Sequence, residues 1–170
     1  IYFKNNYAEA CVASDKYITM YPQGKDNALA QYYLANSYYQ QKKYNESLAL
    51  YAKLIDNAEN PNIEFSLQRA SSIAYDLEKY QDALGYFTKL DQVGSAETRQ
   101  PAKLGILRCA YMLKDYNRTI EVASDIISAY SAYDEMEIEA RYNRFKSYQA
   151  LSNIDAAYTD LVALSVDTRN

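Results

Sequence analysis

Apolar residues recur along this chain at spacings of three, four, seven and ten, and the block that carries them recurs as a whole. Set in register, the copies are NNYAEACVASDKY (5–17), KKYNESLALYAKL (42–54), EKYQDALGYFTKL (78–90), KDYNRTIEVASDI (114–126) and SNIDAAYTDLVAL (152–164), offset by 37, 36, 36 and 38 positions. One column holds Tyr7, Tyr44, Tyr80, Tyr116 and Ile154. Three residues on stand the small Ala10, Ser47, Ala83, Thr119 and Ala157, and four on Cys11, Leu48, Leu84, Ile120 and Tyr158. Seven on lie Ser14, Tyr51, Phe87, Ala123 and Leu161, and ten on Tyr17, Leu54, Leu90, Ile126 and Leu164. These spacings fall on one face of a 3.6-residue helix, so each copy predicts an amphipathic helix with a small-residue contact near its start.

A second set of helices is predicted between the copies, over Ala28–Gln41, Ile63–Leu77, Ala96–Leu113 and Glu135–Leu151. Its inward columns hold Ala30, Ser66, Ala102 and Ala140, one turn on Leu34, Ala70 and Ile106, and near the ends Leu77, Leu113 and Leu151. Two or three polar residues, such as Gln41-Lys42-Lys43, join each helix to the next copy, and a connection that short forces an antiparallel hairpin. Asp26 is placed to cap the helix at Ala28, and Asn60-Pro61 to break and restart the chain. A period of 20–50 residues marks a solenoid or array. The expected fold is therefore all-α, an array of antiparallel hairpins. It comprises a half repeat over 1–22 and hairpins over about 25–58, 61–92, 96–130 and 133–166.

Composition narrows the class. Hydrophobic residues at 49% and charged residues at 24% are ordinary globular values, which argues against wholesale disorder. Four Gly and three Pro leave little for hairpin turns, against an all-β fold. No apolar run approaches the ~18–20 residues that span a bilayer, so no membrane insertion is expected. With 18 basic and 22 acidic residues, a formal charge of −4 offers no broad positive field, and nucleic acid is not an expected partner. The opening IYFKNNYAEA lacks the order of a signal peptide, and the chain reads as a piece of something larger. Both ends are expected to be unfinished, which allows end-to-end self-association.

The hairpin pattern resembles the tetratricopeptide repeat, W-x₂-L-G-x₂-Y, then A-x₃-F, then P. Gln31, Leu34, Ala35 and Tyr38 occupy the first cluster, Ala83-x₃-Phe87 matches the second, and Pro22 stands at a terminal proline position. The likeness covers essentially the whole chain, and it implies that the hairpins wind into a right-handed superhelical array, an α-solenoid. The pattern departs from the family in having no Trp, a period two residues longer, and Leu107 and Phe145 where a small residue is expected. The last two argue against a close helix approach in their hairpins. A narrower resemblance lies in YPQGKDNALAQYYLANSYYQQKKYNES, which is similar to repeats of bacterial Tol–Pal-associated and outer-membrane-assembly lipoproteins. It implies a periplasmic or cell-envelope setting; a cytoplasmic adaptor is the alternative.

Candidate chemistry is sparse. There is no His, the commonest general base and metal ligand, so Cys11 and Cys109 have none to pair with as nucleophiles. Each cysteine falls in an inward column and is expected to be a small core residue with a free thiol. The acidic run Asp134-Glu135-Met136-Glu137-Ile138-Glu139 lies where a helix begins, where the dipole favours negative charge by ~0.3–1 kcal/mol per group. No phosphate loop, nucleophile elbow or paired metal-ligand spacing occurs. Neither catalytic residues nor metal or cofactor ligands are expected, and the chain does not read as an enzyme.

The tyrosines remain: 20, against four Phe. Core packing accounts for Tyr44, Tyr80 and Tyr116, with buried rings and hydroxyls at a rim. Tyr39, Tyr75 and Tyr111 also recur at 36, and the resemblance places their position on a concave groove. Three residues earlier come Asn36, Ser72 and Arg108, and a further turn back Tyr32, Gln68 and Leu104. Such a groove suits an extended peptide or a partner helix, which makes a protein or peptide the expected partner. The packing reading is that periodic tyrosines beside a core bind nothing, and the chain is then an architectural spacer. A chaperone-tail clamp is disfavoured: Asn36 fits one of its positions, but Tyr32 replaces its Lys and Ser72 its second Asn.

Overall fold

A computed structural model describes residues 6–57, 60–129 and 135–166. Among them are nine α-helices and no strand: α1 Tyr7–Met20, α2 Asn27–Gln40, α3 Tyr44–Asp56, α4 Ile63–Asp76, α5 Tyr80–Val93, α6 Ala96–Met112, α7 Tyr116–Ala129, α8 Glu135–Ala150 and α9 Ile154–Ser165. Each predicted helix is present, with boundaries within three residues. The chain forms two compact units, residues 1–77 and 78–170, and the division falls at the turn of the hairpin expected at 61–92.

The first unit holds α1–α4, each packed against the next. Its small-residue column sets the helix spacing. Ala10, Ala35 and Ser47 are buried, and the Ser47 hydroxyl donates to the Ala35 carbonyl at 2.8 Å, so at this point the short Ser47 side chain bonds α3 directly to the backbone of α2. The buried Asn60 organises the entry to α4: its amide donates to the Leu54 carbonyl at 2.9 Å, and its Oδ1 accepts from the Asn62 N–H at 2.9 Å. Asp26 stands at the N-cap of α2 but makes no side-chain capping bond.

In the second unit, successive helices of α5–α9 pack on one another, and α6 also touches α8. Leu107, Ala123, Ile126 and Ala140 make a core between α6, α7 and α8. Leu107 is fully buried. Two residues earlier α6 makes a close approach to the preceding helix instead of its hairpin partner: a Cβ on Gly105 would lie 2.5 Å from the Phe87 ring, so α5 meets α6 where a side chain is missing.

The hairpin ends differ from expectation. Leu113 and Leu151 are exposed and Leu77 is half-buried, because each stands at or just beyond the last helical turn, where the backbone leaves the helix. The Tyr7 column occupies the first residue of its helices, again at a hairpin end, so Tyr80 and Tyr116 are half-buried, and Tyr44 and Ile154 are exposed rather than core.

The turns themselves repeat. Lys42, Glu78, Lys114 and Ser152 have φ of 61°, 58°, 60° and 59°. Around Lys42 the Lys43 N–H reaches the Tyr38 carbonyl and the Lys42 N–H that of Tyr39, both at 2.9 Å. Lys114 and Asp115 do the same with Tyr111 and Ala110, and Ser152 and Asn153 with Gln149 and Tyr148. This is the Schellman closure, and at these turns the left-handed position is held by a residue other than glycine. The following helix is then capped where the next residue allows: Asp115 Oδ1 accepts from the Arg118 N–H, and Asn153 Oδ1 from that of Ala156.

Candidate functional site

The residues expected along a groove lie on α2, α4 and α6, the first helices of their hairpins, and their surroundings differ. On α2 and α4, Tyr32, Tyr39, Gln68 and Tyr75 are half-buried, Ser72 is exposed and Asn36 is buried. On α6, Leu104 and Tyr111 are half-buried and Arg108 is exposed.

In the first unit the rings form a continuous strip. Tyr32 meets Phe65 at 5.5 Å between centroids, nearly edge to face, and touches Tyr33 and Tyr51 at 5.7 and 6.5 Å. The Arg69 guanidinium lies over both the Phe65 ring at 5.1 Å and the Tyr39 ring at 5.0 Å. Tyr39 in turn packs on Tyr44 at 5.6 Å. Such contacts between aromatic rings and a guanidinium are worth ~0.5–1.5 kcal/mol each. Here they bridge α2 and α4 while Phe65 stays 37% exposed. Neither Phe65 nor Arg69 was singled out from the sequence. The signal was present, since Phe65, Gln68 and Arg69 are neighbours at helical spacing on α4, but Phe65 does not recur at the repeat period.

In the second unit the charged groups of α6 and α8 find partners within the chain. Arg108 donates to both carboxylate oxygens of Glu139 at 2.6 and 2.7 Å, tying α6 to α8. Its charge is matched inside the chain, and Leu104 packs on the α6–α8 core rather than standing beside it. Tyr111 rests on Tyr116 at 6.3 Å, the same pairing as Tyr39 on Tyr44. In the acidic run, Glu137 is buried and bound to Arg141, and Glu139 is held by Arg108; Asp134 lies outside the described residues. The run thus supplies ion-pair partners as well as charge at a helix start.

An ion network unforeseen in the sequence joins α8 to α9. Asp160, fully buried, accepts from Arg144 at 2.8 and 2.7 Å and from Arg141 at 3.3 Å, while Arg144 also donates to the Ser124 hydroxyl at 2.9 Å. Its hydrogen bonds to Asp160 hold the Arg144 guanidinium above its ordinary range. Both cysteines are free thiols. Cys11 is half-buried and accepts from Gln41 Nε2 at 3.1 Å; Cys109 is fully buried, and burial pushes its thiol up to about 11.

Among the described residues no group of His, Cys, Asp and Glu is arranged to hold a metal ion, and no helix is long and apolar enough to cross a membrane. No family model matches the chain, and no curated protein does. Solved structures do. A tetratricopeptide repeat protein from Parabacteroides merdae superposes with a TM-score of 0.68 at 16% identity, over 98% of this chain and 62% of its own. A putative kinesin light chain from Podospora anserina with nearly identical TPR-like repeats gives 0.65 at 11% identity, over 98% and 91%. The TPR domain of P58(IPK) gives 0.53 at 17% identity, over 99% and 49%. The fold of this chain is that of the TPR-like helical repeats.

Proposed function

We propose that the chain is a non-catalytic protein-binding scaffold whose first unit makes the main contact, through the strip Tyr32–Phe65–Arg69–Tyr39 shared by α2 and α4. The observation that carries this reading is Phe65, which is an exposed ring fixed between Tyr32 and Arg69. Rigid rings give apolar contact at little entropic cost, and a guanidinium spread over two of them keeps N–H edges for a carbonyl or carboxylate. The ligand that suits such a strip is an extended segment or helix of a partner protein. Placement in a bacterial cell-envelope protein, in the periplasm, rests on the likeness carried by residues 21–47 alone; a cytoplasmic adaptor would use the same strip.

The experiment is capture of partners from the source cell by the wild-type chain and by Phe65→Ala, Arg69→Ala and Tyr32→Ala variants, with folding followed by circular dichroism. Anchoring side chains should weaken a specific partner by ~2 kcal/mol or more. If all three variants fold and retain every partner, the binding reading fails. An architectural spacer then replaces it, a reading favoured by the second unit, where Arg108 is neutralised by Glu139 and Leu104 is packed in the core.

A further inference from the structure

A cleft of about 530 Å³ opens between α5, α6 and α7 in the second unit. Ile106 and Val122 give it an apolar floor, and Asp91, Glu121 and Asp125 bring three carboxylates to its lining. Among the described residues Arg118 is the one lining cation, and its guanidinium is turned to the Thr88 hydroxyl at 3.3 Å. The lining is therefore negative by two formal charges. Asp91 adds a second, independent feature: its Oδ1 is buried and has no hydrogen-bond partner. Buried polar atoms are almost always paired, and a carboxylate with one oxygen cut off from water gains more than usual from a nearby cation. These contacts are all within the second unit and share no residue with the aromatic strip.

We propose that this cleft is a binding site for an alkylammonium or alkylguanidinium group, supplied by a lysine or arginine side chain of a partner protein. The stem would lie along Ile106 and Val122, and the head among Asp91, Glu121 and Asp125. Long basic side chains bury their methylenes and leave the charge at a rim in this way. An apolar floor under an anionic lining matches both halves of that ligand, whereas a bare metal ion would make no use of the floor.

The test is a titration of the ¹⁵N-labelled 170-residue chain, followed by NMR, with Nα-acetyl-lysine methylamide, Nα-acetyl-arginine methylamide, spermidine, and Nα-acetyl-norleucine methylamide as the neutral control. The expected result is saturable shifts confined to Thr88–Asp91, Ile106 and Arg118–Asp125 with the cations and none with norleucine. Asp91→Asn combined with Asp125→Asn should weaken binding at least fivefold. Tighter binding of the amino-acid amides supports a protein side chain as the source, and tighter spermidine a free polyamine, with the chemistry of the cleft common to both. The Asp91→Asn chain should melt no lower than wild type, since it loses no hydrogen bond made by the buried oxygen. Should that variant unfold, Glu121→Gln with Asp125→Asn, both exposed positions, carries the affinity comparison. Equal shifts with norleucine, shifts spread over the whole acidic surface, or affinity unchanged in the variants would overturn the proposal.

Discussion

Tyr39 and Tyr44 meet nearly edge to face, 5.6 Å between ring centroids and 62° between ring planes, on either side of the left-handed residue Lys42. Tyr111 and Tyr116 repeat the pair around Lys114 at 6.3 Å. Tyr39 and Tyr111, two of the tyrosines expected along a groove, thus clasp their own hairpins. A double-mutant cycle on Tyr39 and Tyr44 should return a coupling of ~0.5–1.5 kcal/mol in denaturant unfolding. A coupling near zero would mean that the rings are neighbours without being partners. It follows that Tyr39→Ala loses stability as well as any binding, so Phe65 and Arg69 are the cleaner probes of recognition.

The left-handed turns suggest gains rather than losses. A side chain at positive φ costs ~1–2 kcal/mol, and glycine gives back part of this through its freer unfolded state. Lys42→Gly and Lys114→Gly should each raise stability by ~0.5–1 kcal/mol. Both positions are exposed, so no packing is lost. Lys42→Val, β-branched at the same φ, should lower it. Urea midpoints for the three variants at constant slope decide the matter.

Helix existence and the small-residue crossings were legible because they recur: Ala10, Ser47, Ala83, Thr119 and Ala157 share one column, and all five are buried. What does not recur was hidden. Leu34, Ala70 and Ile106 are the buried members of an inward column whose fourth member, one turn after Ala140, is Arg144. On α9 a matching exchange puts Asp160 where the other copies carry Ala13, Leu50, Tyr86 and Val122. Two charges that each break the pattern are an ion pair when read together, yet columns compared one at a time show only two exceptions. The pairing of Arg108 with Glu139 was hidden for the same reason, since Glu139 lies on a helix whose repeat is the most divergent.

That ion pair gives a strong test of the last hairpin. Asp160→Ala leaves Arg144 and Arg141, both largely buried, without their shared carboxylate, and removing one partner of such a set costs ~3–5 kcal/mol. Because the guanidiniums keep some solvent contact, the lower end is expected. Replacing both halves, Arg144→Ile with Asp160→Leu, should recover most of the loss by restoring the apolar column of the other hairpins. Additive losses in the double variant would contradict this account.

Cys109 links burial to pH. Its thiol is ordinary in the unfolded chain, near 9, and burial in α6 lifts it to about 11 in the folded one. Between these values the folded state holds a proton that the unfolded state has released. Stability contributed by the neutral thiol is therefore complete below about pH 9 and falls as pH rises through about 11. Cys109→Ala has no proton to lose, so its unfolding midpoint should decline less than that of wild type across this window. The same burial should make Cys109 slow to alkylate in the folded chain at pH 8, with one thiol per chain reacting early and the second only on unfolding. If both thiols react together under native conditions, or if wild type and Cys109→Ala lose stability in parallel above pH 9, the buried thiol is not the group that senses alkali.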